Sequence, residues 1–303
     1  MATDSDGFQL KMDFLPVDFY EKIALNIDAE FFPAASALSG IIGVVSSEFL
    51  VKRAIHPIYI EDGYIAKKEF LSYYKRKNGE YVPIATTSRK YLQYTKVELE
   101  AYSAVYSTDP EVTQLHTFCT RSNVVLLLFS SSLSKEIVKF VDLIPVISVL
   151  YINTAVTERI DAIVKKIVEK KTLNRLNIGS EHHFNAATTT TLLDLLKQEQ
   201  FDHAYVCEAC DLPMESLIAE WRENSVKMTG KRVLCKTITV KNPIADFGFE
   251  ACSEEEIDNL YRYYVYLRTR RAAKVFIMRN DEGRAIYVLE DSKMPMQNAI
   301  VFT

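Results

Sequence analysis

From residue 97 onward, short apolar segments recur at nearly constant spacing, and no other feature limits the possible folds as strongly. They are VELEA (97–101), VLLLF (125–129), VLYIN (149–153), RLNIG (175–179), HAYVC (203–207) and RVLCK (232–236). Start to start they lie 28, 24, 26, 28 and 29 residues apart. Each has the length and the Val, Ile, Leu and Tyr content of a strand. The intervals carry apolar residues at helical spacing: Ile137, Val138 and Val141; Ile160, Ile163, Val164, Ile167 and Val168; Leu192, Leu193, Leu195 and Leu196; and Met214, Leu217, Ile218 and Trp221. Asp211 and Pro213 mark the start of the last of these helices.

A strand followed by a helix has two apolar faces that neither element buries alone, so repeated units must stack. A period of 24–29 residues is that of an irregular leucine-rich-repeat-like strand–helix array, and LNRLNIGS carries the L-x-x-L-x-I spacing of such a strand. An open α/β sheet of βαβ units satisfies the same pattern. Either way the fold class is α/β. In an array the strand face away from the helices is free to bind, and alternation along the strands assigns Tyr151, Asn177 and Tyr205 to it as target-binding candidates.

The ends of the chain differ from this middle. Residues 1–11 form a polar leader, and MATDSDGFQL, acidic and without an apolar core, matches neither a signal nor a transit peptide. Residues 12–56 read as a helical module: Pro16 suits a first helical turn, and a second helical stretch begins near Pro33 with Leu38, Ile41, Ile42, Val45 and Phe49 three and four apart. The remainder, 57–303, is expected to be the α/β domain, opening with Tyr-rich strands around a turn at KRKNGEY (75–81). Near the C-terminus, SEEE (253–256) is a capping box, and AKVFIMRNDEGRAIYVLED is a hairpin that would close the end of the array.

Chemistry is harder to find. Nine glycines in 303 residues, with only Gly40 and Gly43 close together, exclude a P-loop or a dinucleotide-binding fingerprint. A net charge of −4 gives no reason to expect nucleic acid or an acidic membrane, and the longest apolar run, NVVLLLFS (123–130), is far short of a span. The five cysteines, Cys119, Cys207, Cys210, Cys235 and Cys252, are odd in number and scattered, which suits free thiols in a reducing compartment. Cys207-x-x-Cys210 has a redox or metal spacing, but a structural zinc needs four ligands, and only His182, His183 and His203 stand near it in sequence. The other reading of this pair is a buried strand cysteine and an incidental neighbour. The expectation is therefore a non-catalytic protein without cofactor or metal.

Two patches resemble a known family. FLPVDFYEKIALNI followed by AASALSGIIGVVSSEFLVKRAI resembles an F-box, and WRENSVKMTGKRV (221–233) is similar to a stretch in the divergent F-box-associated proteins of nematodes. The resemblance implies a substrate-recruiting adaptor of a Skp-cullin-F-box ubiquitin ligase, acting in the cytoplasm or nucleus. Its docking face for a Skp-type adaptor protein would comprise Leu15, Pro16, Phe19, Ile23 and Ile27, then Leu38, Ile42 and Val45, with the remaining domain capturing an unknown protein target. The same helices also serve as the N-terminal cap that a stacked array requires, in which case the protein is an interaction scaffold without a ubiquitin role.

Overall fold

A computed structural model describes residues 16–26, 32–62, 64–100, 115–120, 123–131, 133–179, 186–206, 213–235, 243–263, 274–290 and 298–303. The chain is of mixed α/β class and divides into two compact units, the first of residues 1–57 and 68–95, the second of 58–67 and 96–303. Unit 1 thus holds the expected helical module together with residues 68–95, which the expected boundary at residue 56 assigned to the following domain.

Unit 1 contains helices α1 (Val17–Asn26), α2 (Phe32–Ser36) and α3 (Ile41–Lys52). The helical stretch expected from Pro33 is broken. Gly40 sits at φ 79°, a left-handed conformation natural to glycine, and α3 starts only after it. Gly43 is also obligatory: a Cβ there would lie 1.9 Å from the Leu38 carbonyl oxygen. Tyr20 and Ala24 of α1 pack with Val45 and Phe49 of α3 and with Tyr91, forming a small core. The Tyr91 hydroxyl donates to Glu48, and Arg53 donates to Gln93. Strand β1 (Ala54–Glu61) begins in this unit, where Ala54 and Ile55 pair antiparallel with Arg76 and Lys75 of β3 (Tyr73–Arg76). The expected turn at 75–81 joins β3 to β4 (Tyr81–Pro83). These pairings, and Tyr91 packing on Phe49 with ring centroids 5.3 Å apart, are why residues 68–95 belong with the helices.

Unit 2 contains the rest of β1, its antiparallel partner β2 (Tyr64–Ala66), and the end of β5 (Leu92–Glu100). There follow α4 (His116–Cys119), β6 (Val124–Leu128), α5 (Lys135–Leu143), β7 (Ile147–Ile152), α6 (Glu158–Glu169), β8 (Arg175–Ile178), α7 (Ala186–Leu196), β9 (His203–Val206), α8 (Met214–Met228) and β10 (Arg232–Cys235). The last stretch holds α9 (Pro243–Phe247), β11 (Glu250–Ala251), α10 (Glu254–Tyr263), β12 (Lys274–Arg279), β13 (Ala285–Glu290) and β14 (Asn298–Phe302). The sheet runs β11-β12-β13-β14-β10-β9-β8-β7-β6-β5-β1. Strands β6 to β10 therefore lie side by side in chain order, mutually parallel. The hairpin of β12 and β13 forms as expected, with a turn at Asn280–Gly283. It does not abut β10, because β14 intervenes, antiparallel to both β13 and β10.

The inner face of the sheet is a continuous apolar row. Leu126, Leu150, Leu176, Ala204, Val233 and Ile300 are register partners across β6, β7, β8, β9, β10 and β14, each at most 1% exposed. A leucine buried this fully contributes roughly 2 kcal/mol. Helices α5 to α8 make the crossovers, and each contacts the next. Neighbouring crossovers that touch must share one face of the sheet. The amphipathic stripe of α6 (Ile160, Ile163, Val164, Ile167 and Val168) is buried as expected, and Trp221 of α8 is fully enclosed.

A polar side chain beyond each helix closes the end of the preceding one. Lys170, after α6, donates to the carbonyls of Val141, Asp142 and Ile144 at 3.2, 2.7 and 2.7 Å, at the C-terminus of α5. Gln198, after α7, donates to Val168 of α6 at 3.0 Å, and Lys231, after α8, donates to Glu199 beyond α7 at 2.7 Å. Carbonyls at a helix C-terminus have no partner within the helix, and a cation there also complements the dipole.

Candidate functional site

The second face of the sheet is covered in part. Leu234, Ala299, Leu289 and Val275, partners across β10, β14, β13 and β12, pack with Leu260 and Ile257 of α10. That helix starts at the expected capping box: Ser253 accepts from the Glu256 amide at 3.4 Å, and the Glu256 carboxylate accepts from the Ser253 amide at 2.8 Å. Farther along the same face, over β7 to β9, the row continues as Tyr151, Asn177 and Tyr205. Tyr151 is 40% exposed, and Asn177 and Tyr205 are half-buried. The three residues expected to face a target are thus direct register neighbours. At about 4.8 Å between adjacent strands, the two tyrosines stand roughly 10 Å apart.

One step along the strands a second row crosses β8, β9 and β10: Arg175, His203 and Arg232. Asp202, just before β9, joins them. Its Oδ2 accepts from Arg232 Nη2 at 2.9 Å and from His203 Nδ1 at 2.9 Å. A carboxylate only accepts, so Nδ1 carries the ring proton, and the 3.4 Å approach of Arg232 Nη2 to Nδ1 is donor against donor. Burial pushes the Asp202 carboxyl up, but the hydrogen bond from His203 and the charges of Arg232, His203 and Arg175 outweigh it and hold the group below its ordinary value. Asp202 is therefore ionised at neutral pH. No local sequence pattern marks this cluster, because its members come from three successive strands and meet only through strand pairing.

In unit 1, α1 and α3 are two-faced. Tyr20, Ala24, Val45 and Phe49 point into the core, while Val17, Phe19, Leu38, Val44 and Val51 are 42–71% exposed. Of the expected docking residues, Pro16, Phe19 and Leu38 are exposed, and Ile23 and Ile42 are half-buried. Leu15 and Ile27 lie outside the described residues. Val45 requires a correction: at 5% exposure it is part of the core and offers nothing to a partner. Val45 and Phe49, one turn apart on α3, face inward with Ile41 and Ile42 packed against them, so this stripe is the core side of the helix and Val44 takes the outward place.

Unit 1 also holds a cavity of about 340 Å³ lined by Lys52, Arg76, Thr86, Thr87, Ser88 and Tyr91. Its two cations are paired, Lys52 with Glu48 at 2.7 Å and Arg76 with Glu80 at 2.9 Å. Thr86 and Thr87 both donate their hydroxyls to the Pro83 carbonyl. Both cations of the walls are thus neutralised from within, while Arg76 Nε is buried without a hydrogen-bond partner.

Cys207, Cys210, His182 and His183 lie outside the described residues. Among the described residues no group of three or more His, Cys, Asp or Glu is placed to hold a metal. Burial pushes the Cys119 thiol up to about 12 and the Cys252 thiol up to about 11, far from the range of a reactive thiolate. No helix among the described residues is long and apolar enough to cross a membrane. No family model, curated protein or solved structure matches the chain.

Proposed function

We propose that this protein is a non-catalytic adaptor that brings a protein target to a Skp-cullin-F-box ubiquitin ligase, in the cytoplasm or nucleus. In this reading α1 and α3 dock a Skp-type adaptor protein, and the open strand face around Tyr151, Asn177 and Tyr205 receives the target. The observation that carries the reading is the two-faced character of α1 and α3. Their inner residues Tyr20, Ala24, Val45 and Phe49 form the core of unit 1, while Phe19, Val44 and Val51 remain exposed, as does Leu38 in the turn before α3. Large apolar side chains gathered on a helical module are the usual material of a helix-mediated interface. The sequence resemblance to an F-box supplies the identity of the partner. We also read β6 to β10 as a leucine-rich-repeat-like array rather than a flat open sheet. Strands in chain order and crossovers in contact on one face support that choice, since a doubly wound sheet needs a strand-order reversal to place helices on both faces.

Capture by a purified Skp-type adaptor protein tests the docking claim. The protein is expected to be retained, and Phe19→Asp with Val44→Asp is expected to abolish retention without moving the thermal midpoint, because both residues are exposed. An interaction scaffold without a ubiquitin role is the competing reading. It prevails if the wild-type protein is not retained.

A further inference from the structure

All six side chains that line the cavity of unit 1 carry a polar group, and Tyr91 is the only one of the six that is buried. Small-molecule pockets run from about 300 to 1,000 Å³, so a volume of about 340 Å³ suits one small ring. The donors and acceptors of the walls are unevenly committed. Thr86 and Thr87 both give their hydroxyl protons to the Pro83 carbonyl, at 3.1 and 3.0 Å, so toward a ligand these two oxygens only accept. Arg76 spends Nη1 on Glu80 at 2.9 Å, while its Nε has no hydrogen-bond partner. Lys52 Nζ bonds Glu48 at 2.7 Å and Tyr91 Oη at 3.5 Å, and an ammonium has a third N–H.

Donors and acceptors thus stand together, and the charges of the two cations are each met by a carboxylate. A phosphate or a carboxylate only accepts. It would suit Lys52 and Arg76 but oppose the two threonine oxygens, and Glu48 and Glu80 besides. A hydroxyl group donates and accepts at once, so a ring bearing adjacent hydroxyls meets both sets and brings no charge. The Tyr91 ring is already engaged, by the Lys52 ammonium 5.1 Å from its centroid and by Phe49 at 5.3 Å, so recognition falls to hydrogen bonds rather than to stacking. From this arrangement we propose that the cavity binds a neutral polyhydroxylated ring, a sugar or a cyclic polyol. Its oxygens accept from Arg76 and Lys52, and its hydroxyl protons go to Thr86 and Thr87.

The site lies wholly within unit 1 and is independent of the adaptor reading. Glucose, mannose, galactose and myo-inositol are titrated onto the full-length protein, with inorganic phosphate and acetate as anionic counterparts, and binding is followed by the protein's amide resonances. At least one neutral ring is expected to saturate with a Kd of about 1 mM, the affinity that a ligand of this size reaches through modest contacts. Arg76→Lys keeps the charge but loses the planar fork, and is expected to weaken that ring about tenfold. Arg76 and Glu80 form a solvent-accessible pair, so the thermal midpoint should hold in this variant. Thr87→Val keeps the shape but removes an acceptor, and is expected to weaken the ring about fivefold. Trisaccharides of the same sugars separate two sources of this chemistry: tighter binding assigns the site to the end of a sugar chain, and equal or weaker binding to a free molecule. The proposal is overturned if no neutral ring saturates below about 20 mM. It is equally overturned if phosphate or acetate binds more tightly than every neutral ring, or if Arg76→Lys and Thr87→Val both leave the Kd unchanged.

Discussion

His56 makes unit 1 sensitive to acid over a defined interval. Its ring is 2% exposed, stands edge-on to Tyr74 at a centroid distance of 5.7 Å, and has Nε2 3.2 Å from the Leu71 carbonyl oxygen. That carbonyl only accepts, so Nε2 carries the proton of the neutral ring. Burial opposes a charge here more strongly than the Leu71 carbonyl favours one, and lowers the group from 6.5 to about 4. Between these values the unfolded chain binds a proton that the folded chain refuses. Stability is then fully present above pH 6.5 and is lost as the pH falls toward 4. At about pH 4.5 the gap amounts to roughly 2–3 kcal/mol, from 1.36 kcal/mol for each unit of difference traversed. Urea unfolding at neutral pH and at about pH 4.5, on wild type and His56→Gln, isolates this share. The variant keeps an amide donor for Leu71 but has no proton to gain, so wild type should lose about 2–3 kcal/mol more than the variant over the interval. The ring resonance that vanishes in the variant gives the titration midpoint directly. A midpoint near 6.5, or equal losses in the two proteins, would refute the reasoning.

Two further outcomes bear on the elements that frame the candidate surfaces. Gly43→Ala should unfold or displace α2 and α3, because its new methyl would sit 1.9 Å from the Leu38 carbonyl oxygen, and circular dichroism with retention by the Skp-type adaptor protein should report both losses. Ser253→Ala removes one half of the capping box and should cost about 1 kcal/mol, read as an earlier urea midpoint.

The alternation of apolar and polar residues made much of unit 2 readable from sequence. All six apolar cores are strands, and the intervals between β6 and β10 are helices, because local periodicity there agrees with the packing it serves. The failures have physical causes too. NAIVF, now β14, is buried at all five positions and so lacks the alternation that marks a half-exposed strand. The helical run from Pro33 hid a break whose only local sign was Gly40, and the stripe beyond it, Ile41, Ile42, Val45 and Phe49, is the side of α3 that packs into the core. Tyr151, Asn177 and Tyr205 could be assigned to one face from strand parity alone. The cluster of Asp202, His203 and Arg232 could not, since no local spacing links Asp202 to a side chain 30 residues later.

The side chains that close each helix from the following repeat give the array a polarity along the chain. The end of α5 is complete only when Lys170 is in place, that of α6 only with Gln198, and the segment after α7 only with Lys231. During synthesis each helix therefore waits for about one more repeat to emerge before its last carbonyls are satisfied, and ordering follows the ribosome with a lag of one unit. The same dependence fixes the smallest portable piece. A piece that ends just beyond Lys170 closes α5 but leaves α6 without Gln198, and one that ends just beyond Gln198 leaves the segment after α7 without Lys231.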